Sequence, residues 1–370
     1  MDWESGERRD RLVVALVDPT SYATVGYLGE VVGGSVVENY ESDTRIAGTV
    51  STLAPETHVD LSMMRLIHEA RLGSETYRET LGTFFALRSS GSTRSGHRRA
   101  SYDLKSVLYG MEEDEAPQDL TMASGTLASA AFDTICKRCN RRRQWQGNDT
   151  RWAKAWTLEA GDTHLSWLHQ LASRSSNRLE VTTSGLVSMG RYVAPRDREP
   201  LMRLAWNSPL VTSAEIVDTT NEMEVPSRAI VTWEHEVTAK VRVGTYTSGS
   251  NKGRPRYEER TDMVTVTGWA DAPAGSRSSI GRRGYRVSTW HREDDLGAGR
   301  AAAEERAKRY LAQEGDVVRR WDATTFWFPL HAGDVLLWRP RELDSHVRVM
   351  VTDITKDLTS WTMRVSMKEV

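Results

Sequence analysis

Cys136-Lys137-Arg138-Cys139 has a spacing that could serve redox or metal chemistry. A structural zinc site needs a second Cys or His pair, and none follows with finger-like spacing. A redox motif needs a strand before it and a helix opening at the first cysteine. Here the pair falls late in a predicted helix, on a face shared with Ala128 and Phe132, so core packing is the simplest reading. The nine histidines are dispersed. Trp233-Glu234-His235-Glu236 and Ile67-His68-Glu69 lie in predicted strands, which excludes a helical HExxH zinc site. His164 and His169 are five apart on one predicted helix and so face different ways. GxSxG is absent, and Gly91-Ser92-Thr93-Arg94-Ser95-Gly96 has the wrong spacing for it. Gly281-Arg282-Arg283-Gly284 lacks the strand–helix setting of a phosphate cradle. Glu293-Asp294-Asp295 precedes a predicted helix, where acidic groups suit the dipole. A glycosidase pair there would need a carboxylate separation of roughly 5–9.5 Å, which sequence does not set. Asn148-Asp149-Thr150 matches a glycosylation sequon, but Met1-Asp2-Trp3-Glu4 starts no apolar signal core. No catalytic, cofactor-binding or metal-ligating residue is therefore assigned, and no cofactor is expected.

The basic run Lys137 to Arg143, with Trp145 and Trp152 nearby, is the best local case for nucleic-acid contact. A solvated helix end is the simpler reading. The chain's formal net charge of −2, from 49 basic and 51 acidic residues, leaves no global footprint for phosphate binding. Two cysteines in 370 residues exclude a disulfide framework. The 39% hydrophobic and 27% charged content fits a globular chain of roughly two to three domains. No run of about 18 apolar residues would span a membrane. Only eight of the 49 basic residues are lysine, the other 41 being arginine, and 13 tryptophans stand against five phenylalanines. Both biases suit interface anchors, although GC-rich coding also enriches arginine.

The elements read as predominantly β. Val59, Leu61, Met63 and Ile67 alternate with Asp60, Ser62 and His68 as a half-buried strand does. Leu81–Leu87 is a second strand, and Tyr102, Leu104 and Leu108 belong to a third. Between these two, Arg88–Ala100 reads as an exposed mobile loop. After an acidic stretch ending in Pro117, Ser124 is placed to cap a helix with the ridge Leu127, Ala131 and Ile135. Another helix opens at Asp162 or Thr163, with Leu165, Leu168, Leu171 and Ala172 at helical spacing. Strands 178–182 and 186–192 turn at Ser184-Gly185. Further on, 237–247 and 257–269 form a hairpin around the polar loop 248–255. A helix spans 299–314, with the stripe Ala303, Ala307, Tyr310 and Leu311, the pair Glu304 and Lys308, and a stop at Gly315. Strands 317–328, 334–338, 347–354 and 359–367 close the chain. Two blocks of strands with a few helices argue α+β rather than a parallel α/β sheet.

The order of these segments resembles the baseplate hub, or tail-tip hub, of tailed bacteriophages, and is similar to hubs of contractile injection systems. An early strand leads into Ser42-Asp43-Thr44-Arg45-Ile46-Ala47-Gly48-Thr49-Val50. Arg65-Leu66-Ile67-His68-Glu69-Ala70 and Leu81-Gly82-Thr83-Phe84 follow. A middle module opens at Ala123-Ser124-Gly125. Its second helix follows Glu159-Ala160-Gly161-Asp162-Thr163, and its strand pair ends in Tyr192 and Pro195. Pro329-Leu330-His331-Ala332-Gly333-Asp334-Val335 resembles the family's turn into a late barrel strand.

The resemblance implies two β-barrel-like hub domains with smaller α+β insertions. The first would be residues 1–112. The second would combine 207–292 with 316–370. Residues 113–206 would form an α+β domain and 293–315 a helical insertion. It further implies a non-enzymatic homotrimer at the virion tail tip, assembled in the host cytoplasm. Its partners would be the distal tail protein ring, the tape-measure protein C-terminus and tail-tip, fibre or receptor-binding proteins. DNA would only pass through the lumen, and no membrane contact is implied. Three chains with two barrels each would match a sixfold tube to a threefold tip. Relatives that continue into a lysozyme, peptidase or fibre segment differ from this chain, whose sequence ends at Val370 after a barrel-like strand. Two other readings stay open: a cell-wall hydrolase with an unrecognised carboxylate pair, and a receptor- or carbohydrate-binding module using exposed Trp327 or Trp338.

Overall fold

The computed structural model describes residues 8–53, 63–94, 97–152, 154–219, 225–245, 247–248, 250, 253–276, 278–293, 300–314 and 319–370. The chain is predominantly β. Strands β1–β7 run Arg8–Val17, Thr24–Tyr27, Val31–Asn39, Ile46–Leu53, Met63–Leu72, Glu75–Arg94 and His97–Ser106. A mixed module follows: α1 Tyr109–Glu112, β8 Leu120–Met122, α2 Ala128–Arg138, β9 Arg143–Gln146, β10 Trp156–Leu158, α3 His164–Arg174, β11 Asn177–Val181 and β12 Val187–Arg191. After β13 Arg203–Ala205 and β14 Val211–Thr219 come β15 Arg228–Thr245, β16 Pro255–Asp271, α4 Ile280–Arg283, β17 Ser288–Glu293 and α5 Arg300–Glu314. The chain ends with β18 Arg319–Phe326, β19 Val335–Arg339, β20 Val347–Asp357 and β21 Thr362–Glu369. Contacts divide it into two compact units, 1–217 with 321–370, and 218–320. The second unit groups the long β15–β16 hairpin with α5.

In the first unit the early and late strand blocks share one sheet, in the order β14-β18-β21-β20-β3-β4-β7-β6-β5-β1-β2. Among the described residues this path does not close into a barrel. The blocks meet where β20 pairs antiparallel with β3, from Asp353↔Asn39 to Asp357↔Ser35. Inward residues from both blocks fill one core, including Val14, Val36, Leu66, Phe84, Leu104, Trp321, Trp338 and Val351. Trp338 is 0% exposed and Trp327 2%. The expectation of exposed tryptophans at these positions is therefore corrected. Large flat rings are worth most where strands from two blocks must be packed together.

Residues 88–94 and 97–100 are not a loop. They extend β6 and β7, with Thr93 opposite Arg98. Sheet ladders are made by the main chain, so a polar stretch continues a pairing whose register Phe84, Ala86 and Leu104 have already set. Residues 95 and 96 lie outside the described residues, as do Val59, Leu61, Gly315, Asp294, Asp295 and Met1–Glu4. Leu108 leaves the strand and precedes α1.

Around the middle module, α2 and α3 bury Ala131, Phe132, Ile135, Trp167, Leu168 and Leu171 in a second core. Thr163 caps α3 by accepting from the Ser166 N–H. Ser124 does not cap α2. Leu127 occupies that position, and the Ser129 N–H donates instead to Asp149 Oδ1 at 2.9 Å. A carboxylate from a distant loop thus satisfies an orphan amide at the helix start.

In the second unit, β15 lies between β16 and β17. Ala229, Val231 and Ala270 pack against Ala303, Ala307 and Leu311 of α5. A Cβ at Gly268 would meet Glu304 N at 2.6 Å, so helix and strand can approach this closely only over glycine. Lys308 pairs with Glu305, while Glu304 pairs with Arg300. This replaces the expected Glu304–Lys308 pair by neighbours equally close on a helix surface. No helix among the described residues is long and apolar enough to cross a membrane.

Candidate functional site

Where β20 joins β3, Glu38 lies opposite Ile354 and Lys356 opposite Val36. The strand period therefore puts Glu38 and Lys356 on one face, a diagonal apart. Lys356 Nζ donates to Glu38 Oε1 at 2.9 Å, with only 2% of the lysine side chain exposed. The 329–335 turn brings in His331. Its Nδ1 lies 3.2 Å from Glu38 Oε2, and its Nε2 lies 3.1 Å from Glu79 Oε1 of β6. The Ala332 N–H donates to Glu38 Oε2 at 3.1 Å, and the His331 N–H to Asp334 Oδ2 at 2.8 Å. Three carboxylates, Glu38, Glu79 and Asp334, and two cations, His331 and Lys356, from β3, β6, β20 and the turn thus meet in one place.

Burial alone would neutralise Glu38, His331 and Lys356, but their partners win. Burial opposes ionisation of Glu38, yet Lys356 and His331 hold it down at about 2. Burial disfavours the His331 cation, yet hydrogen bonds to Glu38 and Glu79 raise it to about 9. Lys356 is likewise raised by the two glutamates against its own desolvation. At neutral pH Glu38, His331 and Lys356 are all charged. The cluster is built to hold strands together rather than to relay protons, since removing any one member leaves a buried charge unpaired.

Beside it is a cleft of about 350 Å³, walled by Tyr40, Arg45, Arg178 and Arg198. The Arg178 guanidinium lies 3.4 Å from the Tyr40 ring centroid. Arg198 donates to Tyr40 Oη, the Gly333 carbonyl and the Val193 carbonyl. Gly333 has φ +97°, and a Cβ there would sit 2.6 Å from the Tyr40 ring. The turn can present His331 beside Tyr40 only with glycine at that position.

A second seam lies beside the first, since His68 of β5 pairs opposite Glu79 of β6. His68 Nε2 is 2.7 Å from Asp10 Oδ1. The His68 ring meets Trp327 edge-on at 4.7 Å and stacks on Trp361 at 5.7 Å. Arg8 donates to the Trp327 carbonyl at 2.5 Å and to Asp10 at 2.6 Å. Tryptophans of the late block therefore rest against polar groups of β1 and β5, which accounts for part of the tryptophan excess.

The residues singled out by sequence fall elsewhere. Cys136 is buried in α2, and Cys139, at the end of that helix, is partly buried and packs against the same core. Asp114, Cys139 and His164 each bring one donor atom within 4.8 Å of the others. Burial and the Asp114 carboxylate push the Cys139 thiol up to about 12. His169 faces Asp43, on a different side of α3 from His164. The basic run is used internally. Lys137 and Arg143 both pair with Asp133. Arg138 lies over Trp167, Arg141 over Phe85 and Arg142 over Tyr22. Glu293 pairs with Arg306 and accepts from Tyr310. Glu38, Glu79 and Lys356 carried no motif. The legible signal was a charged residue in the inward register of an apolar strand, as with Lys356 two places from Ile354.

In the second unit, the outer part of the β15–β16 hairpin exposes apolar side chains: Val241, Val243, Tyr257, Met263 and Val264. Trp290 of β17 is 67% exposed. Exposed apolar residues gathered on one hairpin in this way mark contact surfaces.

No protein-family model and no curated protein matches the sequence. Solved structures do match. A tail protein from Neisseria meningitidis is similar with a TM-score of 0.63 at 13% identity, covering 97% of this chain and 96% of that one. The 43 kDa tail protein of prophage MuSo2 from Shewanella oneidensis gives 0.63 at 10% identity, covering 97% and 98%. The prophage tail protein gp18 from Listeria monocytogenes gives 0.52 at 11% identity, covering 97% and 94%. The chain has the fold of these phage tail proteins over nearly its whole length.

Proposed function

From a tail-protein fold shared end to end, we propose that the chain is a non-enzymatic virion protein forming a homotrimeric hub at the distal end of a phage tail. Each subunit contributes two β-rich faces, one from the early strand block and one from the late block. Residues 113–206 and 293–315 are insertions between and beside them. Three subunits present six faces to the distal tail protein ring above. The lumen between them receives the tape-measure protein C-terminus and opens for DNA. Tail-tip, fibre or receptor-binding proteins attach below.

The observation that carries this reading is the whole-length likeness to three tail proteins, each covered by more than nine-tenths. The chemistry is compatible. The charge cluster pins strands of the two blocks, so it suits a rigid ring segment. The exposed apolar hairpin suits contact with a neighbour, because head-to-tail closure needs two different complementary surfaces on each subunit.

Electron microscopy of the purified chain mixed with its distal tail protein tests the proposal. Threefold rings capping sixfold rings are expected. Particles without threefold symmetry at any mixing ratio would contradict it. A zymogram on host cell walls addresses the hydrolase reading, which requires clearing that a single carboxylate substitution abolishes.

A further inference from the structure

We propose that the cleft walled by Tyr40, Arg45, Arg178 and Arg198 receives a carboxylate from an acidic peptide segment of a partner protein. The guanidinium carbons of Arg178, Arg198 and Arg45 lie 3.4, 5.4 and 5.8 Å from the Tyr40 ring centroid. Arg178 belongs to β11, Arg198 follows β12 and Arg45 precedes β4, so the fold itself gathers three like charges. Burial, then repulsion from Arg45 and Arg198, brings the Arg178 guanidinium down to about 10. Burial lowers Arg45 as well.

Among the described residues no buried carboxylate bonds to any of the three. Glu180 Oε1 lies 3.3 Å from Arg178 Nε, out of hydrogen-bond alignment, and the Glu180 side chain is 51% exposed. The exposed Asp43 attracts Arg45 without forming an ion pair. Arg198 donates to neutral acceptors only: Tyr40 Oη and the Gly333 and Val193 carbonyls. Arg45 donates to the Tyr40 carbonyl. The Nε groups of Arg45 and Arg178 are buried without a hydrogen bond, a state that costs free energy. Glu38 and Asp334 also line the cleft, but Lys356, His331 and main-chain N–H groups hold them. A guanidinium fork matches a carboxylate in geometry as well as charge. Glu180 shows that the site already attracts one, and its exposure lets it yield the place. The cleft of about 350 Å³ is at the small end of ligand pockets, which suits an inserted side chain. A nucleic-acid occupant fits less well. Arg178 already covers the Tyr40 ring, so no base can stack on that face, and the chain's net charge of −2 gives phosphates no general attraction.

The site stands whether or not the chain closes into a ring. Fluorescence anisotropy on the full-length chain tests it, with a labelled Asp/Glu hexapeptide and its Asn/Gln counterpart as probes. Saturable binding of the acidic peptide alone is expected, weakening as salt rises. Arg178→Met should weaken it at least about tenfold, the loss expected of a charged hydrogen-bond partner. Glu180→Gln should tighten it by roughly two- to fivefold, because the resident competitor is gone. Arg341→Met, at an exposed arginine over Trp206 outside the cleft, should leave it unchanged. If Arg178→Met fails to fold, Glu180→Gln and the unaltered chain decide. In the unaltered chain the peptide should slow phenylglyoxal modification of Arg45, Arg178 and Arg198, mapped by mass spectrometry, and spare Arg341 no modification. Absent binding overturns the proposal, as does unchanged affinity in folded Glu180→Gln or an equal loss in Arg341→Met. Tighter binding of oligothymidylate than of the peptide would overturn it in favour of a nucleic-acid site.

Discussion

Lys356 holds its ammonium inside the protein, 2.9 Å from Glu38 and within the field of Glu79. Replacing it with methionine keeps the aliphatic stem but leaves Glu38 facing His331 alone. Lys356→Met should destabilise by about 3–5 kcal/mol, measured by urea unfolding, because a buried carboxylate loses its main partner. Adding Glu38→Leu should recover much of that loss, since removing both partners is far less costly than removing one. The same cluster sets a pH window. Glu38 titrates at about 2 when folded, against an ordinary 4.5. Its contribution is complete above pH 4.5 and falls away as pH drops towards 2. His331 titrates at about 9, against 6.5. Its contribution is complete below pH 6.5 and is lost as pH rises through 9. Thermal unfolding should therefore show stability declining from pH 6.5 to 9, and His331→Gln should flatten that limb. A slope unchanged in the variant would assign the alkaline limb to other groups. These residues were hard to see in the sequence because no local pattern joins them. Glu38 and Lys356 are 318 positions apart and meet only through strand pairing.

Gly268 shows how one element depends on a neighbour distant in sequence. Its missing side chain admits α5, whose backbone would lie 2.6 Å from any Cβ there. Gly268→Leu should lift α5 from β16 and cost about 1–3 kcal/mol by overpacking. Faster hydrogen exchange along 300–311 would report it. Gly275→Ala, with nothing within 4 Å of its Cβ, should change little. Elements with their own periodicity and caps were legible from sequence. They include α3 with its Thr163 cap, the β11–β12 pair turning at Gly185, the long hairpin of the second unit, and α5 with its alanine stripe. Those set by tertiary partners were not. The polar continuation of β6 and β7 inherits its pairing from the apolar part. The start of α2 takes its cap from Asp149, 20 residues beyond Ser129. The depth of Trp327 and Trp338 depends on a strand block contributed by the other end of the chain.

At the scale of the whole molecule, β20 against β3 makes one sheet out of the first and last parts of the chain. Segment order carried the resemblance to tail hubs, while the joining of the two blocks through a charged seam emerged only from the structure. The ring proposed from this fold makes a finite prediction, since head-to-tail contacts that close on a threefold axis stop at three copies. The most direct measurement is solution mass by multi-angle light scattering across a concentration series, with the chain alone and with its distal tail protein. A threefold ring gives a discrete species at three times the 41.7 kDa chain mass. A strict monomer under both conditions would contradict it.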